Sequence, residues 1–306
     1  ARLVASQLGF PHYVLDFSEV FARIVIDKFS EEYLSGRTPN PCVICNREIK
    51  WAELIRKAEA LGADFIATGH YAKVRFDLAR NRFVLSRGKD SAKDQSYALW
   101  GLTQHSLSKT LFPLAELTKP EARAIGEKHR LKVAKKGESY EICFIPDNNY
   151  ERFLKERFTN LEEDVRGGKI LFEGKEIGEH SGFPFYTIGQ RKGLGVAVGE
   201  PIYVTNINAQ TNTITVGRDE DLFHRGLIAS NVNLIAYENI NEPRNVTAKI
   251  RYGDSGASAE AFIDERGKLH VLFDEPRRAI TPGQTVALYE GDDLIGGGVI
   301  DTIIDD

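Results

Sequence analysis

Three thiols and a scatter of cations are the side chains here with the most chemistry to offer. Cys45 lies in Arg37-Thr-Pro-Asn-Pro-Cys-Val-Ile-Cys-Asn-Arg-Glu-Ile-Lys50, and Cys143 in Ser139-Tyr-Glu-Ile-Cys-Phe-Ile-Pro-Asp147. Both segments read as presented loops. Two distant thiols on polar loops suggest sulfur chemistry in which one cysteine attacks what the other carries. The pair Cys42/Cys45 is a C-x-x-C, which fits half a zinc site, a redox pair, two structural cysteines, or one reactive thiol beside a bystander. Zinc would need two further ligands, with Cys143 and His70 as the available donors. Arg47 and Lys50 would favour thiolate at Cys45, so a reactive thiol leads. Cys143 by itself fits a core cysteine in a buried Ile-Cys-Phe-Ile strand equally well.

Other strings offer polar groups for a nucleotide or nucleic acid. Thr68-Gly69-His70-Tyr71 reads as a strand end where glycine permits close approach and His70 meets a phosphate or base; a turn with a satisfied histidine is the plainer alternative. Lys93-Asp94-Gln95-Ser96 suits phosphate or ribose contact, although a charged helix start explains such a string as well. Gly189-Gln-Arg-Lys-Gly-Leu-Gly195 can bring backbone amides and two cations to a phosphate, but it is not a Walker loop. Arg251-Tyr252 sets a cation beside a ring able to stack on single-stranded RNA. Lys50, Lys93, Lys135, Lys136, Arg191, Lys192, Arg251, Arg277 and Arg278 can form a dispersed basic track. The net charge of −4 argues against a uniformly basic surface.

The elements that must position these groups change character along the chain. In the first part, Phe21, Ile24, Val25, Phe29 and Leu34 recur at helical spacing until Gly36, after the short run Tyr13-Val-Leu-Asp-Phe17. A helix is expected over 51–61, leading into a buried strand, Asp64 to His70. Strand and helix signals alternate, which points to a parallel sheet in an α/β domain with ligands beyond the strand ends. Thr118-Lys-Pro-Glu121 has the form of a capped helix start. Further on, Tyr203-Val-Thr and Thr213-Ile-Thr-Val216 read as a hairpin. Alternating strands at Val246 to Tyr252, Ala259 to Ile263, Leu269 to Phe273, Val286 to Tyr289 and Leu294 to Ile300 then suggest a small β-barrel. The expected division is 1–160, 161–220 and 221–306.

At 306 residues the chain has room for two or three cores. Three cysteines make no disulfide framework, so a reducing, cytoplasmic setting is expected. No apolar run has the length of a membrane span, and no signal-peptide layout is present. A membrane partner is not expected.

Taken together, the ordered strings GRTPNPCVICN, ATGHY, KDQSY, ICFIPD, FYTIGQRKGLG, KIRY and TPGQ resemble the tRNA-specific 2-thiouridylase (tRNA-uridine 2-sulfurtransferase) family over essentially the whole chain. The resemblance implies an α/β domain of the ATP-pyrophosphatase (adenine nucleotide alpha-hydrolase-like) type, a small central domain and a C-terminal β-barrel. It implies an enzyme that uses ATP, with Mg2+, to adenylate the C2 oxygen of a wobble uridine in tRNA. Sulfur from a cysteine persulfide then replaces that oxygen, the persulfide coming from a cysteine desulfurase or a relay protein. By the same resemblance Cys143 is the persulfide carrier and Cys45 the partner nucleophile, a pair able to form a disulfide. Gly69 is a nucleotide-contacting glycine. Asn40, Pro41 and Cys42 form the loop that meets the target base. His70, Lys93, Asp94, Gln95, Arg251, Tyr252 and Gln284 are tRNA contacts. No stable metal or prosthetic group is implied. The family's Ser-Gly-Gly-x-Asp-Ser phosphate loop is absent from this sequence and is expected to lie before Ala1, so weak ATP binding is expected of the chain as it stands. The competing readings are another adenylating enzyme of the same fold and a zinc-holding RNA-binding module.

Overall fold

A computed structural model describes residues 1–135, 137 and 142–305. Lys136 and the Ser139-Tyr-Glu141 half of the Cys143 string lie outside the described residues, as does the side chain of Lys135.

The first part is mostly helical. Apolar spacing builds one continuous helical run from Ser18 to Leu34, whose middle turn, Ala22–Ile26, is wound as a π-helix. Gly36, at φ 74°, ends it, in the left-handed region that glycine occupies without strain. The helix expected over 51–61 is the second half of a run that already begins at Pro41 and continues to Ala60. Thr118 caps the helix Lys119–Lys128 through a reciprocal box with Glu121, as its Thr-x-x-Glu spacing implies.

The parallel sheet is short. Strand β1 (Ile66–Ala67) occupies only the middle of the strand expected over 64–70. The run Tyr13 to Phe17 forms no strand, and Tyr13 is 80% exposed. Next come β2 (Ala72–Asp77) and β3 (Arg82–Arg87), an antiparallel hairpin that the sequence reading did not pick out. Strand β4 (Thr110–Leu111) pairs with β1 in parallel.

The central part is a four-stranded sheet made of β5 (Gly168–Phe172), β6 (Lys175–His180), β7 (Tyr203–Asn208) and β8 (Thr213–Gly217), in the order β6-β5-β8-β7. The expected hairpin is β7–β8. The last part holds β9 (Phe223–Leu234), β10 (Arg244–Lys249), β11 (Ala257–Ile263), β12 (Leu269–Arg278), β13 (Thr285–Glu290) and β14 (Asp293–Ile304). The order β13-β10-β11-β12-β9-β14 closes on itself through β13–β14, a six-stranded barrel with no free edge. Strand β10 stops at Lys249 instead of running to Tyr252. The reason is local: Asp254 accepts from the Ile250 amide at 3.0 Å while its own amide donates to the Arg251 carbonyl, folding 251–254 into a turn.

The barrel and the α/β part share one core. Trp100, Tyr97 and Leu99, all at most 1% exposed, pack with Ile235, Ala287, Tyr289 and Leu294 of the barrel side. The β2–β3 hairpin extends the barrel sheet at β14. A charged clamp holds it there: Arg75 grips Asp293 with two bonds of 2.8 Å, Arg80 adds one of 2.9 Å, and Ser86 donates to the same carboxylate. Burial alone would raise the Asp293 pKa, but these donors hold it well below the usual carboxylate range.

The Trp100 ring rests on Gly297. A Cβ there would lie 2.4 Å from the Val286 carbonyl and 2.8 Å from the indole. Gly297→Ala should therefore overpack this seam at a cost on the order of 1–3 kcal/mol, lowering Tm by several degrees in thermal denaturation. An unchanged Tm would show that the seam is looser than these contacts.

Candidate functional site

The Cys42/Cys45 segment is built by its prolines. Asn40 precedes Pro41, which disfavours helical backbone, and it stands extended at φ −112°, ψ 91°. Pro41 then occupies the first helical turn, where its missing N–H costs nothing. From Cys45 to Glu53 the helix is wound as a π-helix, in which residues five apart stack along the axis, so Lys50 lies one turn beyond Cys45. Two groups fix this helix in place. Trp51 is fully buried and donates its Nε1–H to Thr110 at 2.7 Å, and the Asn46 amide donates to the Ala98 carbonyl at 2.9 Å.

All three thiols are free; Cys42 and Cys143 are exposed and Cys45 is half-buried. Cys143 sits in a turn, not in a buried strand, while its neighbours Ile142, Phe144 and Ile145 pack into the core below. Cys42 keeps an exposed surface, yet the protein atoms crowded round its sulfur and that of Cys45 desolvate both thiols and push them up, opposed by the positive charge of Lys50; Cys143 adds a further upward push on both. Cys143 thus lies within electrostatic reach of both Cys42 and Cys45. The expectation that Arg47 and Lys50 would lower Cys45 is thus corrected, because desolvation outweighs them. Of the two cations only Lys50 acts on the thiols, while Arg47 is paired with Glu48 at 2.7 Å and lies along Gly101.

Gly69 and His70 follow β1, at the carboxyl end of the parallel pair. A Cβ on Gly69 would meet nothing nearer than Leu114 at 3.9 Å, so the space above that backbone is open. The His70 ring packs against Trp51 and Phe112, and its Nδ1 is 3.0 Å from the Thr68 hydroxyl. Burial, helped by Lys50, lowers its pKa to about 4. At neutral pH His70 therefore offers a neutral imidazole, not a cation. Below pH 6.5 the unfolded chain takes up a proton that the folded ring refuses, so its contribution to stability fades as pH falls from there towards 4.

The KDQSY string is occupied with holding loops together. Asp94 accepts from the amide and hydroxyl of Ser96, and Gln95 accepts from the Tyr71 amide at 3.0 Å. In place of the charged helix start that Lys93-Asp94-Gln95-Ser96 also fits, only a 3-10 turn forms, over Ser96–Leu99. Lys93 stands half-buried in the turn before it. Arg251 and Tyr252 are exposed on their barrel turn, and the Tyr252 hydroxyl reaches the Asp94 carbonyl at 3.4 Å. Arg277 and Arg278, two members of the basic track, pair with Asp254 and Asp219. Arg191 and Lys192 lie exposed on the glycine-rich turn.

Gln284 faces inward, towards the cysteine loop. Its amide donates to the carbonyls of Thr38 at 3.0 Å and Pro39 at 3.3 Å, while the Thr38 amide donates to the Pro282 carbonyl at 2.9 Å. Gly283, at φ 90°, lies so close that a Cβ would come within 2.8 Å of the Thr38 nitrogen. Residues Thr38, Tyr97, Gly283 and Thr285 were missed as site-building residues, though the first three stand inside strings already marked out and Thr285 directly follows TPGQ. Among the described residues, no group of three or more His, Cys, Asp or Glu is arranged to hold a metal ion, and no helix is long and apolar enough to cross a membrane.

Residues 1–147 match the tRNA methyl transferase HUP domain, 151–218 the tRNA methyl transferase PRC-barrel domain and 224–300 the aminomethyltransferase beta-barrel domain. The chain is 54% identical to the tRNA-specific 2-thiouridylase MnmA of Salinibacter ruber, over 98% of its own length and 79% of that protein's. It is 51% identical to the same-named protein of Cytophaga hutchinsonii, over 98% and 82%, and 47% identical to that of Clostridium perfringens, over 99% and 84%. The chain belongs to the tRNA-specific 2-thiouridylase family. The architecture of an α/β HUP domain, a central domain and a C-terminal barrel is therefore the family's own.

For this family member the Cys45 thiol should titrate above its ordinary value, with alkylation accelerating as pH rises through that range. Lys50→Ala removes the opposing charge and should move the midpoint further up, slowing alkylation at neutral pH severalfold. Rate–pH profiles of iodoacetamide labelling at Cys45 check this, and an unmoved midpoint would count against Lys50.

Proposed function

We infer that the protein is a tRNA 2-thiouridylase that replaces the C2 oxygen of a wobble uridine with persulfide sulfur. The observation that carries this reading is the electrostatic influence of Cys143 on both Cys42 and Cys45, which brings a thiol distant in sequence to the pair that Lys50 also acts on. Membership of a family whose named relatives are tRNA-specific 2-thiouridylases supports it. ATP, with magnesium, would supply the activation: the C2 oxygen would bond to the α-phosphorus as pyrophosphate leaves, and the resulting adenylate would later leave C2 as AMP. The open backbone at Gly69, beyond β1, fits an approaching nucleotide.

The chain's residues then divide the sulfur chemistry. Cys143 receives a sulfane sulfur from a cysteine desulfurase or persulfide relay protein, and its exposed turn suits a protein donor. The terminal sulfur forms a bond to C2, and the C2–oxygen bond breaks. Cys45 thiolate attacks the Cys143 sulfur, breaking the S–S bond; the electron pair stays on the sulfur now attached to C2, and a Cys45–Cys143 disulfide results. In the alternative order Cys45 attacks first and frees hydrosulfide, which attacks C2. Either way two electrons come from the thiol pair, and an external dithiol must return them. Asn40, Pro41 and Cys42 line the approach of the base. Arg251 and Tyr252, with Lys93, contact the RNA, while Asp94, Gln95 and Gln284 support that surface from below and His70 offers a neutral hydrogen-bonding ring. Free thiols and a recyclable disulfide suit the cytoplasm.

In the full-length protein, Cys143→Ser and Cys45→Ser should each lower 2-thiouridine formation by at least about a thousandfold, as loss of a nucleophile does, with tRNA affinity unchanged. Nucleoside mass spectrometry after incubation with ATP and a sulfur donor reads the first, and filter binding the second. Retained thiolation in either variant contradicts the assigned roles.

A further inference from the structure

Two half-buried cations at the seam between the α/β part and the barrel lack a partner of opposite charge. Arg87 ends β3, where its amide donates to the Asp292 carbonyl at 3.0 Å, and Lys249 ends β10. The Arg87 guanidinium lies 4.4 Å from the centre of the Tyr289 ring, and the Lys249 ammonium 5.9 Å from that of Tyr97. The two rings are neighbours. The Tyr289 hydroxyl is 3.0 Å from that of Ser96, the residue before Tyr97, and Tyr97 donates to the Thr285 carbonyl on the strand that carries Tyr289. Lys249 stands opposite Ala287 and Thr247 opposite Tyr289, so Lys249 and Tyr289 occupy diagonal positions on one face of the barrel. Both tyrosines are fully buried, which keeps their phenols protonated, so neither ring supplies a negative charge. Among the described residues, no carboxylate pairs with Arg87 or Lys249, and no group hydrogen-bonds either side chain. The two carboxylates whose charge reaches Lys249 are engaged elsewhere. Asp94 accepts from the Ser96 amide and hydroxyl, and Asp254 accepts from Arg277 at 2.6 Å and from the Ile250 amide.

We propose that Arg87 and Lys249 form a site for the RNA backbone, holding phosphate oxygens of the bound tRNA beside the exposed Arg251-Tyr252 turn. This rests on the thiouridylase reading and adds two cations to the RNA contacts of Lys93, Arg251 and Tyr252. A half-buried cation loses part of its water, and an aromatic face returns only about 0.5–2 kcal/mol. Burial accordingly pushes the Lys249 pKa down, and the charge of Arg87 pushes it the same way. A phosphate supplies the missing opposite charge and accepts N–H donors that no protein group takes. The surroundings favour a phosphodiester of RNA over a free nucleotide. Tyr252, 53% exposed, meets the Tyr97 ring edge-on with centroids 6.2 Å apart, so a ring able to stack on a base and the Lys249 ammonium rest on one buried support. The lysine stem is also held in place: a Cβ on Gly256 would stand 3.2 Å from its Cγ.

The test measures the Kd for tRNA between about 50 and about 200 mM salt, comparing wild type, Arg87→Gln, Lys249→Gln, the double variant and Arg87→Lys in the full-length protein. Each glutamine variant should raise Kd severalfold and lower the slope of log Kd against log salt by about one, the double variant by about two. Arg87→Lys keeps the charge and should keep the wild-type slope, and the KM for ATP should stay unchanged throughout. A second measurement needs no variant: amine-reactive labelling of Lys249 in wild type should slow severalfold under saturating tRNA and not under ATP. A wild-type Kd and slope in the double variant overturn the proposal. So does a slope lost equally in Arg87→Lys, which places the effect in the fold and not in the charge. Protection of Lys249 by ATP, with a raised KM for ATP in the variants, assigns the pair to a nucleotide phosphate and overturns it too. Where the glutamine variants fail to fold, the labelling decides, and an unprotected Lys249 overturns the site. Wild type that binds tRNA with Lys249 protected but makes no 2-thiouridine sinks the thiouridylase reading and upholds the site; wild type that thiolates with Lys249 unprotected sinks the site alone. No binding of tRNA by wild type sinks both.

Discussion

The structure depends on one close backbone approach, where the Pro282–Gln284 turn of the barrel closes on Thr38 and Pro39. The Thr38 amide, the two carbonyls held by Gln284 and the missing Cβ of Gly283 bring two chain segments far apart in sequence into contact. The central part reaches the same point, with the Thr187 hydroxyl 3.5 Å from that of Thr38. A loop of this kind, Arg37-Thr-Pro-Asn-Pro41, has no secondary structure to stabilise it. Two prolines limit its freedom, and the barrel supplies the hydrogen bonds that water would otherwise supply. Arg37 adds a second tie, donating to the Ile300 carbonyl and pairing with Glu32 and Asp301. The barrel is consequently a structural wall of the site as well as a surface beside it.

Electrostatics at the thiols follow from that packing. Burial of Cys45 works against thiolate formation, and the single cation one π-turn away only partly offsets it. A thiol kept protonated at rest is poorly nucleophilic and poorly oxidised. Its reactivity therefore depends on what arrives: a persulfide on Cys143, or RNA phosphates and bases that change the local charge. His70, held neutral by the same burial, cannot supply the missing positive charge.

Much of this was legible in the residues, and the reasons for the gaps are physical. Helical spacing up to Gly36, the Thr118–Glu121 capping box, the 203–216 hairpin and the run of barrel strands are local patterns, and all were readable as such. The β2–β3 hairpin was not, because its register is set by a barrel strand two hundred residues away and its exposed face carries Phe76 and Leu78 with no simple alternation. The strand expected over 64–70 fell to two residues because a strand is only as long as its partner, and β4 offers two. The reading of Gln284, Asp94 and Gln95 as RNA contacts came from resemblance. Here their side chains satisfy loop backbone, a role that no local pattern announces. The direction of the Cys45 shift was likewise hidden: neighbouring cations are visible in a sequence, and desolvation is not.

The central claim is that the barrel holds the loop in front of Cys42 and Cys45. Amide hydrogen exchange at Thr38 tests it directly. The account predicts that this amide, in a loop without regular structure, exchanges at least about a hundredfold more slowly than a free peptide, as a bonded interior amide does, and that Gln284→Ala removes most of that protection. Exchange at the free-peptide rate in the wild-type protein would contradict it.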